Sequence, residues 1–199
     1  MRDRRRADWV TDLDGRHTVE RQVRTAIESH PQLRVTRDST ASFDRLDFAL
    51  AGPGGRPIEL EVKAKNQPLS AGWRVLRPDV DPGDLFVLDE LAMRKMVDAG
   101  RHAFMIVRDV PRDCWFLWSA GDLAVATRVR HSRRLQKGTT AMVKGKLLLN
   151  LAEAGYRAPA LAEVVDTLAT TAGDVDRRWR DISPWPAGTV STMAAGAGR

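Results

Sequence analysis

Eight consecutive residues, Ile58 to Lys65 (IELEVKAK), alternate strictly between apolar and charged side chains. This period of two is typical of a β-strand with one buried face, because successive side chains of a strand point to opposite sides of the sheet. The opposite face carries Glu59, Glu61, Lys63 and Lys65 in a row, spaced by about 7 Å along the strand. Such a row suits a hard cation and a phosphate, and it suits a solvated outer face equally well.

The composition predicts one intracellular domain. The chain has 199 residues, of which 43% are hydrophobic, and this is enough for one substantial core. Cys114 is the only cysteine, which excludes an intrachain disulfide and a cysteine-based zinc cluster. The basic N-terminus lacks the apolar stretch of a signal peptide, and no run approaches the roughly 18 apolar residues of a membrane span. We therefore expect a cytoplasmic protein with no membrane contact.

The charge pattern favours a polyanionic partner. The chain carries 32 Lys and Arg against 26 Asp and Glu, a net charge of +6. No acidic residue occurs between Leu123 and Ala152. The basic residues of that segment are Arg128, Arg130, Arg133, Arg134, Lys137, Lys144 and Lys146. We predict that they contact DNA, with RNA as an alternative partner, and a solvated basic loop is the other interpretation.

Hydrophobic periodicity predicts an α/β order of elements. In chain order, we expect a helix at 14–30, strands at 33–37, 43–50 and 58–65, a helix beginning at Asp84 or Asp89 and ending before Gly100, strands at 103–107 and 114–118, a short helix at 121–127, a strand at 146–151, and a helix at 159–170 that ends before Gly173. The residues of the helix before Gly100 that are expected to face inward are Leu88, Leu91, Ala92, Met96 and Val97. The order predicts a central mixed β-sheet flanked by helices.

Two carboxylates are expected to meet on adjacent strands. The Gly- and Pro-rich segment 51–57 predicts a hairpin between the strands at 43–50 and 58–65. Asp47 lies on the side of its strand away from the core and can approach Glu61 in the antiparallel pair, in a register that the sequence leaves open. Glu20 sits at the border of the apolar stripe of the first helix, where it faces the packing surface or is simply a first-turn Glu favoured by the helix dipole.

Glu20 on a helix, Asp47 on a strand and Glu61-Val62-Lys63 on the next strand together resemble the core of the PD-(D/E)XK nuclease superfamily, the restriction endonuclease-like fold. The resemblance covers roughly residues 19–118, and Leu46 stands where the family commonly has Pro. It implies an αβββαβ core with a C-terminal helical extension. Together with the charge and composition of the flanking segments, it divides the chain into a flexible basic arm at 1–13, a nuclease-like core at 14–127, a basic strand and helix extension at 128–183 and a disordered tail at 184–199.

The resemblance implies a metal-dependent hydrolase. Asp47 and Glu61, with the Val62 carbonyl, would hold Mg²⁺ or Mn²⁺, and Lys63 would assist the attack of water. Glu20 would add a carboxylate, as in Holliday-junction resolvases and phage or repair nucleases. Magnesium takes oxygen ligands, lowers the pKa of bound water and neutralises charge on phosphate, so the residue types agree with this chemistry.

Further residues near the motif have expected or rival roles. Gln67 resembles the polar residue that follows the family motif and touches phosphate or water, and Arg74 is expected to contact nucleic acid. Asp44 and Glu59 are rival metal ligands in a shifted register, and Lys65 is a rival for Lys63 if the strand path differs.

The prediction is therefore a divalent-metal-dependent endonuclease that hydrolyses DNA phosphodiester bonds. A homodimer is expected from the resemblance, since two strands of a duplex must be cut. One alternative is a nucleic-acid-binding module without catalysis, which would use the basic segment 128–146. Another is a structural or assembly protein of a mobile element, in which the charged strand face merely meets water.

Overall fold

The computed structural model describes residues 18–40, 45–69, 71–137 and 140–182. Within these ranges, residues 71, 133–137, 140–144 and 176–182 are described by their backbone alone. The arm expected at 1–13 and the tail expected at 184–199 lie outside the described residues. The division of the chain near residue 127 stays a prediction.

Helices separate groups of one to three strands along the chain. The first helix, α1, spans residues 18–28. The elements that follow are β1 (Arg34–Asp38), β2 (Phe48–Ala51), β3 (Pro57–Lys65), α2 (Ala71–Arg74), β4 (Leu85–Asp89), α3 (Glu90–Ala99), β5 (Ala103–Asp109), β6 (Cys114–Ser119), α4 (Ala120–Val125), β7 (Val129–Lys137), β8 (Thr140–Asn150), β9 (Tyr156–Ala158) and α5 (Leu161–Ile182).

The central sheet is mixed and six-stranded, in the order β1-β2-β3-β5-β6-β9. β3 and β5 are parallel, because β4 and α3 form the crossover between them, and the other neighbours are antiparallel. A second, three-stranded sheet has the order β4-β8-β7. The expected fold class, a central mixed sheet flanked by helices, is confirmed.

Apolar layers cover both faces of the central sheet. On one face, α1 and α5 pack on β3 through a core that includes Ile58, Leu60 and Val62. On the other face, α3, α4 and the second sheet form another core, which includes Met96 and Met105. The charged face of β3 therefore lies between protein layers. The interpretation of this face as a solvated surface is wrong for Glu61, which is 2% exposed.

Of the two expected starts of the helix before Gly100, Asp84 and Asp89, the structure has the later one. Asp89 is its N-cap, and β4 occupies the residues before it. Leu91 and Val97, expected to face inward, are exposed by 57% and 55%. The expected inward set was too wide for one face of a helix, and packing against the second sheet buries only the part of it that contains Ala92 and Met96. The buried stripe is Ala92, Met93 and Met96.

Two segments extend further than their sequence patterns indicated. The basic segment forms the hairpin β7–β8, and the strand expected at 146–151 is the end of β8, where it pairs with β4. α5 continues through Gly173, which was expected to end it. Packing overrides the intrinsic weakness of glycine in a helix here, because Ala172 and Val175 on either side are buried in the α1–α5 layer.

β2 begins at Phe48, so the strand expected from residue 43 is shorter, and residues 41–44 lie outside the described part of the chain.

In the described part, no helix has the length and apolar content needed to cross a membrane.

Candidate functional site

The register of β2 and β3 brings Asp47 to Glu61. Phe48 pairs with Leu60 at the start of β2, and the next step of that antiparallel register places Asp47 opposite Glu61. Asp47 Oδ2 accepts a hydrogen bond of 2.8 Å from the Val62 backbone N–H. The carboxylate thus takes the place of a strand carbonyl at the point where β2 begins, and it is fixed against the middle of β3.

Lys63 joins the two carboxylates. Its ammonium nitrogen lies 3.9 Å from Asp47 Oδ2 and donates a hydrogen bond to Glu61 Oε1. It also donates to the Val62 carbonyl at 3.2 Å. The Asp47 and Glu61 side chains are each 3% exposed, whereas Lys63 is 22% exposed. Lys63 is therefore the member of this group that a ligand in solvent reaches first.

Burial raises the pKa of the Glu61 carboxyl above its ordinary value of 4.5, and the nearby Asp47 carboxylate acts in the same direction. The ammonium groups of Lys63 and Lys95 oppose this increase. Glu61 Oε2 is buried and has no hydrogen-bond partner among the described residues. An ionised oxygen in that position is costly unless a cation satisfies it.

The Glu61→Gln variant tests this description without any substrate. Because the folded-state pKa of Glu61 is raised, the stability due to its protonated form is fully present below about pH 4.5 and is lost as the pH rises through the folded-state pKa. Glutamine mimics the protonated form. In metal-free buffer, we therefore expect the variant to match the parent near pH 4 and to exceed its free energy of unfolding at pH 8 by about 1–3 kcal/mol, the cost of an unsatisfied buried group. Urea unfolding across this pH range measures the difference, and parallel pH profiles for the two proteins would contradict it.

Comparison with known proteins adds little. No family model matches the chain. No curated protein matches it either. Among solved structures, the chain is similar to D212, a nuclease from a fusselovirus, with 12% sequence identity and a TM-score of 0.37 over 81% of this chain and 90% of that chain. With so low a score, the function has to be argued from the site itself.

The other predicted ligand, Glu20, lies on α1 and is 3% exposed. Its neighbour Val19 belongs to the layer between α1, α5 and the central sheet. Among the described residues, no three His, Cys, Asp or Glu side chains come close enough together to hold one metal ion. The structure therefore groups Asp47 and Glu61 with Lys63, and the role of Glu20 stays a prediction.

The rival residues on β3 have other partners. Glu59 Oε2 accepts a hydrogen bond of 2.7 Å from Arg37. Lys65 is buried, lies 3.3 Å from Asp109 Oδ2 and donates to the Gly83 carbonyl. Burial lowers the pKa of Lys65, and the Asp109 carboxylate opposes that decrease. Asp44, the remaining rival, lies outside the described residues.

The residues predicted to bind nucleic acid are spread over the surface. Gln67 and Arg74 are exposed after β3. Among the basic residues, Arg128 donates to the Leu123 carbonyl at 2.7 Å, Arg130 forms an ion pair of 2.9 Å with Glu90, and Lys146 pairs with Asp89. The side chains of Arg133, Arg134, Lys137 and Lys144 lie outside the described part. Nucleic-acid contact by this segment stays a prediction.

Sequence reasoning missed Lys95, whose positive charge lowers the pKa of Glu61. Lys95 lies on α3, 34 positions after Glu61, and its ammonium donates a hydrogen bond of 2.7 Å to the Arg45 carbonyl. No local pattern marks it, because its approach depends on how the crossover places α3 over the charged face of β3.

Proposed function

We propose that this protein is a divalent-metal-dependent nuclease that hydrolyses DNA phosphodiester bonds as an endonuclease. The observation that supports it most is the buried pair of carboxylates, Asp47 and Glu61, bridged by Lys63. Asp47 lies where β2 begins, and Glu61 and Lys63 lie on β3. These two carboxylates and one ammonium are the groups that phosphodiester hydrolysis needs. The positive net charge supports a nucleic-acid substrate, and the choice of DNA over RNA rests on the family resemblance of the motif.

The residues present fit a hard divalent cation. Both acidic side chains offer oxygen, which Mg²⁺ and Mn²⁺ prefer. Glu61 Oε2 is buried and lacks a hydrogen-bond partner among the described residues, so it has an unused ligand position. Asp47, Glu61 and the Val62 carbonyl would hold the ion. Once bound, the ion would supply a more acidic water and neutralise charge on the phosphate.

The side chains of this chain have separate tasks in that proposal. Asp47 is held by the Val62 N–H, so its orientation does not depend on the ion. Lys63, more exposed than either carboxylate, would donate to a phosphate oxygen or orient the attacking water, and so stabilise the charge that develops in the transition state. Glu61 remains anionic at neutral pH more readily because Lys63 and Lys95 counteract its burial.

A cleavage assay with the Lys63→Met variant tests the proposal. The protein is incubated in Mg²⁺, Mn²⁺ or EDTA with each of six substrates: linear, nicked, forked, four-way and single-stranded DNA, and single-stranded RNA. We expect the parent to cut DNA only with metal and Lys63→Met to lower kcat by about 10²–10³, since it removes one charge-stabilising donor. The increase in melting temperature caused by Mn²⁺ should persist in Lys63→Met, because both carboxylates remain.

The control is Arg34→Met, at an exposed position of β1, which should cut like the parent. Loss of the Mn²⁺ effect on melting temperature in Lys63→Met would indicate a structural role for Lys63. If the parent binds DNA and cuts none of these substrates, the protein is a binding module and the proposed activity is wrong. The same assay, followed by measurement of mass in solution with and without DNA, tests the expected homodimer.

A further inference from the structure

A cleft of about 430 Å³ opens beside the two carboxylates. Two of its lining residues are sequence neighbours of these carboxylates: Leu46 precedes Asp47, and Glu59 lies two residues before Glu61 on β3. The end of α3 closes the opposite side. The complete lining is Arg37, Arg45, Leu46, Glu59, Lys95, Asp98 and Ala99. The cleft therefore continues the charged face of β3 away from Glu61, along the path that a bound strand could follow.

The uncompensated charge of the cleft is positive. Arg37 and Glu59 neutralise each other through their hydrogen bond of 2.7 Å. Among the described residues, no carboxylate lies within ion-pair distance of Arg45 or Lys95. The only other acidic residue in the lining is Asp98. Two cations thus face one carboxylate, which favours an anionic ligand.

Lys95 links the cleft to the catalytic pair in two ways. Its hydrogen bond to the Arg45 carbonyl holds α3 against the segment that leads into Asp47. Its charge also acts on Glu61, whose pKa it lowers against the effect of burial. A phosphate held by Lys95 would therefore lie close to the carboxylates without having to enter the buried site.

We infer that this cleft is a phosphate-binding subsite for the nucleic-acid strand that passes the Asp47–Glu61 centre, with Arg45 and Lys95 as its cations. The inference rests on the proposed function for the identity of the strand. Lysine and arginine hold phosphate through charge-assisted hydrogen bonds. The volume of the cleft is that of a small-molecule site and is too small for a whole duplex, and its two cations suit one phosphate of the strand. Single-stranded and duplex DNA share this chemistry, and the test includes both.

The test measures binding by the full chain in EDTA, so that cleavage does not interfere. Fluorescent single-stranded and duplex oligonucleotides are titrated with the parent, Arg45→Ala, Lys95→Gln and the double variant at several salt concentrations. Glutamine keeps a donor for the Arg45 carbonyl and removes the charge. We expect the double variant to bind about tenfold more weakly. We also expect the slope of log affinity against log salt to fall by about 0.9 for duplex or about 0.7 for a single strand, the value for one phosphate.

Two further variants sharpen the result. Arg94 lies beside Lys95 on α3 but pairs with Glu90, outside this cleft. Arg94→Ala removes an equal charge and should leave the salt slope unchanged. Asp98→Asn removes the opposing charge in the cleft, and we expect it to tighten binding two- to threefold. Tighter binding by Asp98→Asn, opposite to the weaker binding expected of the Arg45 and Lys95 variants, cannot come from damage to the fold.

The outcomes separate this inference from the proposed function. If Glu61→Ala stops cleavage while the cleft variants bind with the affinity and salt slope of the parent, the phosphate subsite is wrong and the nuclease remains. If the cleft variants weaken binding and Asp98→Asn tightens it, the subsite is supported, whether or not the parent cuts any substrate. If Arg94→Ala weakens binding as much as the double variant, the charge effect is general and the subsite is wrong. A preference for one oligonucleotide, lost in the double variant, would identify which strand form occupies the cleft.

Discussion

Replacing Glu61 by Ala is expected to lower metal-dependent DNA cleavage at least about a thousandfold. Glu61 supplies one of the two buried carboxylates, and its Oε2 has no hydrogen-bond partner among the described residues. Without it, Asp47 is the single carboxylate left to hold a cation there. A bound ion contributes several kcal/mol of transition-state stabilisation, and about 4 kcal/mol corresponds to a thousandfold in rate. Initial rates on the best substrate, at saturating Mg²⁺, measure the effect.

Glu59→Ala is the matched comparison, because Glu59 lies on the same face of the same strand. Its carboxylate pairs with Arg37 and is more exposed than that of Glu61, so we expect cleavage to fall less than about tenfold. The melting temperature of Glu61→Ala without metal should be no lower than that of the parent, which excludes unfolding as the cause. Equal cutting by Glu61→Ala and the parent, or a larger loss in Glu59→Ala, would show that the site is placed wrongly.

Asp109→Ala is expected to lower the free energy of unfolding by about 3–5 kcal/mol, the typical cost of leaving a buried charge without its partner. Asp109 is 0% exposed and lies 3.3 Å from the Lys65 ammonium and 2.7 Å from Arg112 Nε. Lys65 is itself buried, so without Asp109 its charge would lose its ion-pair partner inside the protein. Urea unfolding at pH 7 measures the change, which is a large part of the roughly 5–15 kcal/mol that stabilises a typical domain.

A second variant separates the pair from general damage. Lys65→Met combined with Asp109→Leu removes both charges, and we expect it to recover most of the loss, since well-packed apolar residues often replace a buried ion pair at little cost. Asp113→Asn is the exposed control, because asparagine tolerates the positive φ of 51° at this position. It breaks the pair with Arg108 at a side chain that is 88% exposed and should cost less than about 1 kcal/mol. A loss in Asp109→Ala as small as that of the control would contradict the structural role of the network.

Much of the local structure followed from the sequence. The alternation in β3 indicated which side chains share a face, and the Gly- and Pro-rich segment 51–57 indicated the antiparallel hairpin that the structure contains. Gly100 ends α3, with a φ of 75° that favours glycine. These features depend on neighbours in the chain, so they are visible without the fold.

The errors arose where packing chose between two local possibilities. Leu91 and Val97 flank the buried face of α3 on its two sides, and the structure leaves them exposed because only the face with Ala92 and Met96 meets the second sheet. Gly173 is a typical helix end, yet α5 continues because the residues around it bury apolar surface against the central sheet. Lys95 reached the site only through the crossover between β3 and β5.

By itself, the sequence determined that Glu59, Glu61, Lys63 and Lys65 lie on one side of a strand, and that Asp47 precedes it across a hairpin. The period of two alone could not rank them, because it defines a face but not what covers it; the hairpin partner Asp47 and the family resemblance put Glu61 and Lys63 first. Only the tertiary structure paired Glu59 with Arg37 and Lys65 with Asp109, and left Glu61 beside Asp47 and Lys63. The physical reason is burial: α3 and the second sheet lie over the charged face, so charges there need partners, and Glu59 and Lys65 take theirs from distant parts of the chain.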